Sequence, residues 1–166
     1  MPNLAAVLVA DPAIVKRKFT KLLRKLVQYV KNGGSAVLGG SFSSHITPPN
    51  FDEFMKNTWG LDWKFGEYHR TTFTVNPTND LAKRNPSLVL SYSMKAVHIA
   101  NIRPEMAIYT PAKGARLQSL VFAPVPIENT SESPAVCTRV GRGLLSFLGD
   151  VNAEVGSTNT ILAMLG

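Results

Sequence analysis

The chain has 166 residues, of which 45% are hydrophobic and 17% charged, and it carries a formal net charge of +7. That length suffices for one buried core, and the apolar content excludes wholesale disorder. A single cysteine, Cys137, excludes an intramolecular disulfide framework and a four-cysteine metal site.

No charged segment followed by a long apolar run opens the chain, and its longest apolar runs are too short to span a bilayer. A cytoplasmic protein with no membrane partner is expected. Residues 4–10 form a continuous apolar run ended by Asp11-Pro12, the pattern of a strand buried on both faces. A helix is expected over 13–31, with Val15, Phe19, Leu22, Leu23, Leu26 and Val30 on one stripe and Asn32-Gly33-Gly34 as its stop. Residues 35–38 read as a second buried strand, completing a right-handed βαβ unit. Gly39-Gly40-Ser41-Phe42-Ser43-Ser44-His45 follows as a small-residue loop, Pro48-Pro49 as a break, and 51–58 as a short helix.

After Trp59 the texture becomes aromatic and β-branched. Residues 68–75 are expected as a strand, and 88–93, 96–99, 107–109 and 117–122 as shorter ones. A proline-bearing surface loop follows, then a last buried strand at 143–148 and a closing helix at 160–165.

Three segments are familiar together: residues 29–40, Gly66-Glu67-Tyr68-His69-Arg70-Thr71-Thr72, and Gly149-Asp150-Val151-Asn152-Ala153-Glu154. They resemble a group of uncharacterised, mainly fungal ThuA-like (trehalose-utilisation-like) proteins in the class I glutamine amidotransferase-like superfamily, over essentially the whole chain. The resemblance implies a single α/β domain over 1–166. It would be a flavodoxin-like three-layer sandwich with a mainly parallel sheet and a crevice at the carboxyl ends of the strands. Relatives usually carry an earlier βαβ segment, so the chain looks short at its N-terminus. The exposed sheet edge this leaves suggests a homodimer.

Laid on the amidotransferase pattern, Ser41 falls at the nucleophile position, and Asn152 and Glu154 fall on the later His-x-Glu pair. Asparagine cannot take a proton at neutral pH, so glutamine hydrolysis by the family mechanism is not expected. Gly39 and Ser43 are small enough for a nucleophile elbow, whereas Pro48 makes the following segment a poor helix. A loop that simply leaves a parallel strand is the plainer alternative.

Among the histidines, His69 is favoured over His45 and His98 as a base for Ser41, with Arg70 beside it to keep the imidazole neutral. Asp150 would orient His69 or bind a substrate hydroxyl; equally, Asp150 and Asn152 would cap the turn into the last helix. Arg70 and Tyr68 would bind an anionic group, or Arg70 would pair with Asp150. Backbone N–H groups near Gly40 and Phe42 would hold an oxyanion.

The histidines and acids lack metal-site spacing, and no phosphate-binding glycine loop follows an early strand, so neither metal nor cofactor is expected. The cations between Lys16 and Lys31 read as a solvated helix face in preference to a nucleic-acid surface. These residues lead to a domain that binds a small molecule, with hydrolysis of an ester or acyl substrate as its enzymatic form. A catalytically inactive scaffold is the rival, and nucleic-acid binding through 16–31 a further one.

Overall fold

A computed structural model describes residues 5–166; Leu4, the expected start of the first strand, lies outside them. The fold is α/β. Strand β1 (Ala6–Val9) pairs in parallel with β2 (Ser35–Leu38), and β2 in parallel with β7 (Gly143–Leu148). Strand β6 (Ala135–Val140) then adds antiparallel to β7, giving the order β1-β2-β7-β6. Helix α1 (Thr20–Lys31) brings Leu26 and Val30 onto one face with Ala36, Leu38, Leu145 and Phe147. Helix α5 (Val155–Leu165) brings Ala163 and Met164 onto the other face with Val37 and Leu148. Alternate residues of each strand feed opposite cores, which makes the three layers.

A second, antiparallel sheet has the order β4-β3-β5, from β3 (Lys64–Val75), β4 (Ser91–Ala100) and β5 (Tyr109–Pro111). It is hydrogen-bonded to the first. Val97 donates to the Gly149 carbonyl at 3.0 Å, Val151 to Lys95 at 3.1 Å, and Ile99 and Ser133 exchange bonds of 2.8 and 3.2 Å. The end of β7 is thereby clamped against the middle of β4, and residues 149–154 emerge between the sheets.

Several expectations need correction. The single early helix is two 3-10 turns, Pro12–Val15 and Arg17–Phe19, ahead of α1, with Lys16 extended between them. The Asp11 carboxylate accepts from Ala13 N–H at 2.7 Å, and β-branched Ile14 and Val15 do not favour continuing as α-helix. Ser41–His45 is a one-turn helix, α2, because Pro48 ends it without preventing its start. The two prolines then open α3 (Pro48–Phe54), which runs into a π turn at Met55–Trp59. Residues 91–93 and 96–99 merge into β4, 88–90 stay outside it, and α4 (Asp80–Arg84) precedes it under an Asn79 cap. Residues 117–122 form exposed loop instead of a strand, with Leu120, Val121 and Phe122 at the surface.

Strand β6 was not expected. Its β-branched content and the two-residue link Gly141-Arg142 to β7 are the hairpin signature that identifies it. Strand β1 is the outermost of its sheet, and Leu8 and Leu22 beside it are 44% and 47% exposed. The cations of the 16–31 segment all face solvent. Among the described residues, no helix is long and apolar enough to cross a membrane.

Candidate functional site

The parallel strands β2 and β7 end side by side, and the loops leaving their carboxyl ends enclose a cleft of about 480 Å³. Gly40, Ser41, Ser44 and His45 form one wall, residues 150–154 a second, and Ser157, Thr158 and Ile161 of α5 the third, with Leu148 at the base. Ser41 and Asp150 therefore share one opening. Ser44 and Asn152 also border an adjoining hollow of about 430 Å³ that reaches Tyr68.

The first wall has strand–turn–helix geometry. Gly40 holds φ +61° and ψ −130°, a backbone state that side-chain-bearing residues rarely adopt, and α2 starts at the next residue. A Cβ on Gly40 would approach nothing nearer than Ala10 Cβ at 3.9 Å, so conformation, not space, selects glycine. In an elbow the nucleophile itself occupies the strained position. Here that position has no side chain, and Ser41 is the first residue of the helix. The Ser43 hydroxyl donates to the Leu148 carbonyl at 2.5 Å and ties this wall to β7.

Phe42 does not reach the cleft. Its ring is buried against Phe54, and its N–H donates to the Gly39 carbonyl at 3.2 Å, so it offers neither side chain nor N–H to a ligand. His45 faces the cleft, but its Nδ1 lies 3.1 Å from the Ser41 carbonyl oxygen.

The second wall is shaped by Asp150, which is 5% exposed. One carboxylate oxygen accepts from Asn152 N–H at 2.8 Å, and the other accepts from Glu154 N–H at 2.7 Å. This tight turn carries Ala153 at φ +54° and presents the Asn152 side chain outward. Glu154 is paired with Arg70 at 2.5 Å, and Arg70 also donates to the Ser93 hydroxyl at 3.2 Å. Arg70 thus joins β3 to the 149–154 loop, through Glu154 and not Asp150.

His69 is separated from this cleft by the strand that carries it. Side chains alternate across β3, and Tyr68 and Arg70 occupy the cleft side. His69 points the other way, with Nδ1 3.3 Å from a Glu67 oxygen and its ring centroid 4.3 Å from that of His98. The structure does not bring His69 to Ser41 or to Asp150. Burial lowers the His69 pKa, opposed by Glu67 and Glu132. Burial, then the neighbouring His69, lowers that of His98 to about 3.

The third wall was missed in the sequence. Ser157, Thr158 and Ile161 follow Glu154 at spacings of three, four and seven, one helical face once α5 is known to begin at Val155. The Ser157 hydroxyl lies 3.2 Å from the Tyr92 hydroxyl, so the second sheet also braces this wall.

No family model matches the chain. No curated protein matches it either. Among solved structures, a β-galactosidase from Bacillus circulans sp. alkalophilus is similar, with a TM-score of 0.54 and 13% identity, over 96% of this chain and 22% of that one. A protein from Bacteroides uniformis ATCC 8492 described as ThuA-like gives 0.48 and 14%, over 96% and 66%. An exo-β-1,4-mannosidase from Opitutaceae bacterium strain TAV5 gives 0.39 and 15%, over 87% and 22%. The chain spans about a fifth of the length of the two glycosidases and just under two thirds of the ThuA-like protein. At 13% identity the likeness to the β-galactosidase establishes the α/β fold and says nothing about chemistry.

Proposed function

We propose that this chain is a binding domain of amidotransferase-like architecture, which takes a neutral, hydroxyl-rich small molecule in the cleft at the ends of β2 and β7. The observation that carries this reading is Gly40 at the elbow position: the backbone state that would project a nucleophile falls on a residue with no side chain. The Ser41–His69–Asp150 hydrolase arrangement loses its base to the far side of β3 and its third member to the turn at 152–154.

The chemistry of the lining supports a neutral ligand. Each Asp150 carboxylate oxygen is held by one backbone N–H, and Glu154 and Arg70 pair with each other. What remains for a ligand are the hydroxyls of Ser41, Ser44 and Thr158, the Asn152 amide and the His45 imidazole, over an apolar base of Leu148 and Ile161. The volume lies within the roughly 300–1,000 Å³ usual for small-molecule sites and suits one or two sugar-sized rings. Tyr68 in the adjoining hollow offers a half-exposed ring beside Asn152.

Thermal-shift screening of neutral mono- and disaccharides against anionic counterparts tests this. Stabilisation by neutral members that disappears in Thr158→Arg, which blocks the cleft, is expected. Stoichiometric labelling of Ser41 by a fluorophosphonate, absent in Ser41→Ala, would instead establish a serine hydrolase.

The outer edge of β1 favours a second property, pairing with another copy of this chain. Among the described residues nothing is bonded to that edge, and an apolar groove of about 290 Å³ bordered by Leu8, Ile14, Phe19 and Leu22 runs along it. Parallel-sheet edges of this kind are normally covered.

A further inference from the structure

We propose that Glu67, His69 and His98 form a binding site for one divalent transition-metal ion of the zinc class, on the face of β3 opposite the ligand cleft. One nitrogen from each imidazole and one Glu67 oxygen lie within 4.8 Å of one another. The His69 Nδ1 to Glu67 Oε2 separation is already 3.3 Å. Two ligands bonded tetrahedrally to zinc at about 2.0–2.1 Å sit roughly 3.3 Å apart, so only the His98 corner needs to draw in.

Local structure explains why these three meet. Glu67 and His69 are two apart on a strand, which points both side chains to one face, and β4 runs antiparallel alongside with His98. A register irregularity between Phe65 and Tyr68 turns this part of β3 toward the 132–133 segment.

Two further observations support a cation at this place. First, Nε2 of His98 is buried without a hydrogen-bond partner, in a ring whose centroid lies 4.3 Å from that of His69. His98 is 2% exposed and the His69 side chain 8%, so both rings lie in the interior. Buried side-chain nitrogens are normally satisfied, and an unsatisfied one facing two further ligand groups calls for an explanation.

Second, a further carboxylate closes on the same place. Buried Glu132 accepts from the Glu67 N–H at 2.7 Å and occupies the space that a side chain on Gly66 would need, with its Oε2 2.3 Å from the position of an added Cβ. Among the described residues, neither Glu67 nor Glu132 has a Lys or Arg partner within 4 Å.

The donor set indicates the kind of ion. Two imidazoles with one carboxylate suit zinc or a neighbouring transition metal, whereas calcium and magnesium take oxygen ligands almost throughout. Three protein ligands leave a fourth position for water. The partly exposed Glu67 side chain provides the entry side, and Glu132 fixes the backbone that carries it through the Glu67 N–H.

The test is titration of chelator-stripped protein with CoCl2, followed by visible d–d absorption, with ZnCl2 as competitor. Saturation at one cobalt per chain and displacement by one equivalent of zinc are expected. His69→Gln and His98→Gln each lose more than the about 10–100-fold that second-layer changes cause, and Glu67→Gln weakens binding within or beyond that range. His45→Gln, a histidine outside the cluster, leaves the titration unchanged. Glu67→Gln, at a half-exposed side chain, carries the test if either histidine variant fails to fold. Wild-type protein without a one-to-one cobalt spectrum, or equal binding by wild type and His69→Gln, would overturn the proposal.

Discussion

Asp150 is the residue through which the cleft's shape is most exposed to test. Replacing it with alanine removes two hydrogen bonds of 2.8 and 2.7 Å at once, leaving Asn152 N–H and Glu154 N–H without acceptors. Bonds from a backbone N–H to a carboxylate contribute about 1.5–3 kcal/mol each. Asn152 and Ala153 are solvent-exposed, so water recovers part of the loss, and the lower figure applies twice. The expected cost of Asp150→Ala is therefore about 3 kcal/mol. For a chain of this size it lowers Tm by roughly 6–12 °C, at about 2–4 °C per kcal/mol.

Asp150→Asn keeps one acceptor oxygen but turns an amide N–H toward the other donor, so about half that cost is expected. Urea unfolding followed by circular dichroism measures both variants, with an unchanged m-value required for the comparison. The order wild type, Asp150→Asn, Asp150→Ala is predicted, and ligand stabilisation should weaken in the same order as the 150–154 wall loosens. Two variants within about 0.5 kcal/mol of wild type, the scatter of ordinary surface changes, would refute the assignment of Asp150 as the loop's organiser.

Gly40→Ala should destabilise by about 1–3 kcal/mol through backbone strain alone, since the added methyl meets no close neighbour; a neutral result in the same urea assay would contradict the φ of +61°. His98 adds a pH dependence. Its pKa of about 3 in the fold lies below the usual 6.5, so the unfolded chain binds the extra proton between these values. Stability from this source is complete above pH 7 and falls with acidification toward pH 3, by about 2 kcal/mol at pH 5. Measured in EDTA, the stability of His98→Gln should fall less than that of wild type between pH 7.5 and 5, and parallel profiles would count against it. Light scattering should return a dimer for the wild type and a monomer for Leu8→Lys at the β1 edge; a monomeric wild type removes the pairing proposal.

The parallel frame was legible because each of its strands carries its own pattern. Short, mainly apolar runs announce β1, β2 and β7, and the stripe through Leu26 and Val30 announces α1. The antiparallel sheet was legible only in pieces. Its strands have one polar face, and Lys95 and Arg70 interrupt hydrophobic runs although they sit in mid-sheet. The exposed apolar stretch at 117–122 imitated a strand for the same reason in reverse, since β-propensity without partners does not make one.

For the cleft, the strand-end rule pointed to Gly40, Ser41, Asp150, Asn152 and Glu154, which line one opening. It could not give the facing of His69. That depends on a strand register, and a shift of one residue exchanges the two faces. Nor could it give the one-residue offset that puts the strained backbone state on Gly40 instead of Ser41. The Glu67–His69–His98 cluster was invisible because its third member is 29 positions away along the chain and is brought in by β-pairing alone.

The central claim is that the openings at the tips of β2 and β7 form one binding site for a neutral, hydroxyl-rich molecule. Amide-resolved NMR titration of isotopically labelled protein with neutral disaccharides addresses it most directly. Saturable shifts confined to Gly40, Ser41, Ser44, Asn152, Ser157 and Thr158 are predicted. Saturable shifts elsewhere with these six unmoved, or no saturable shift with any sugar, would contradict it.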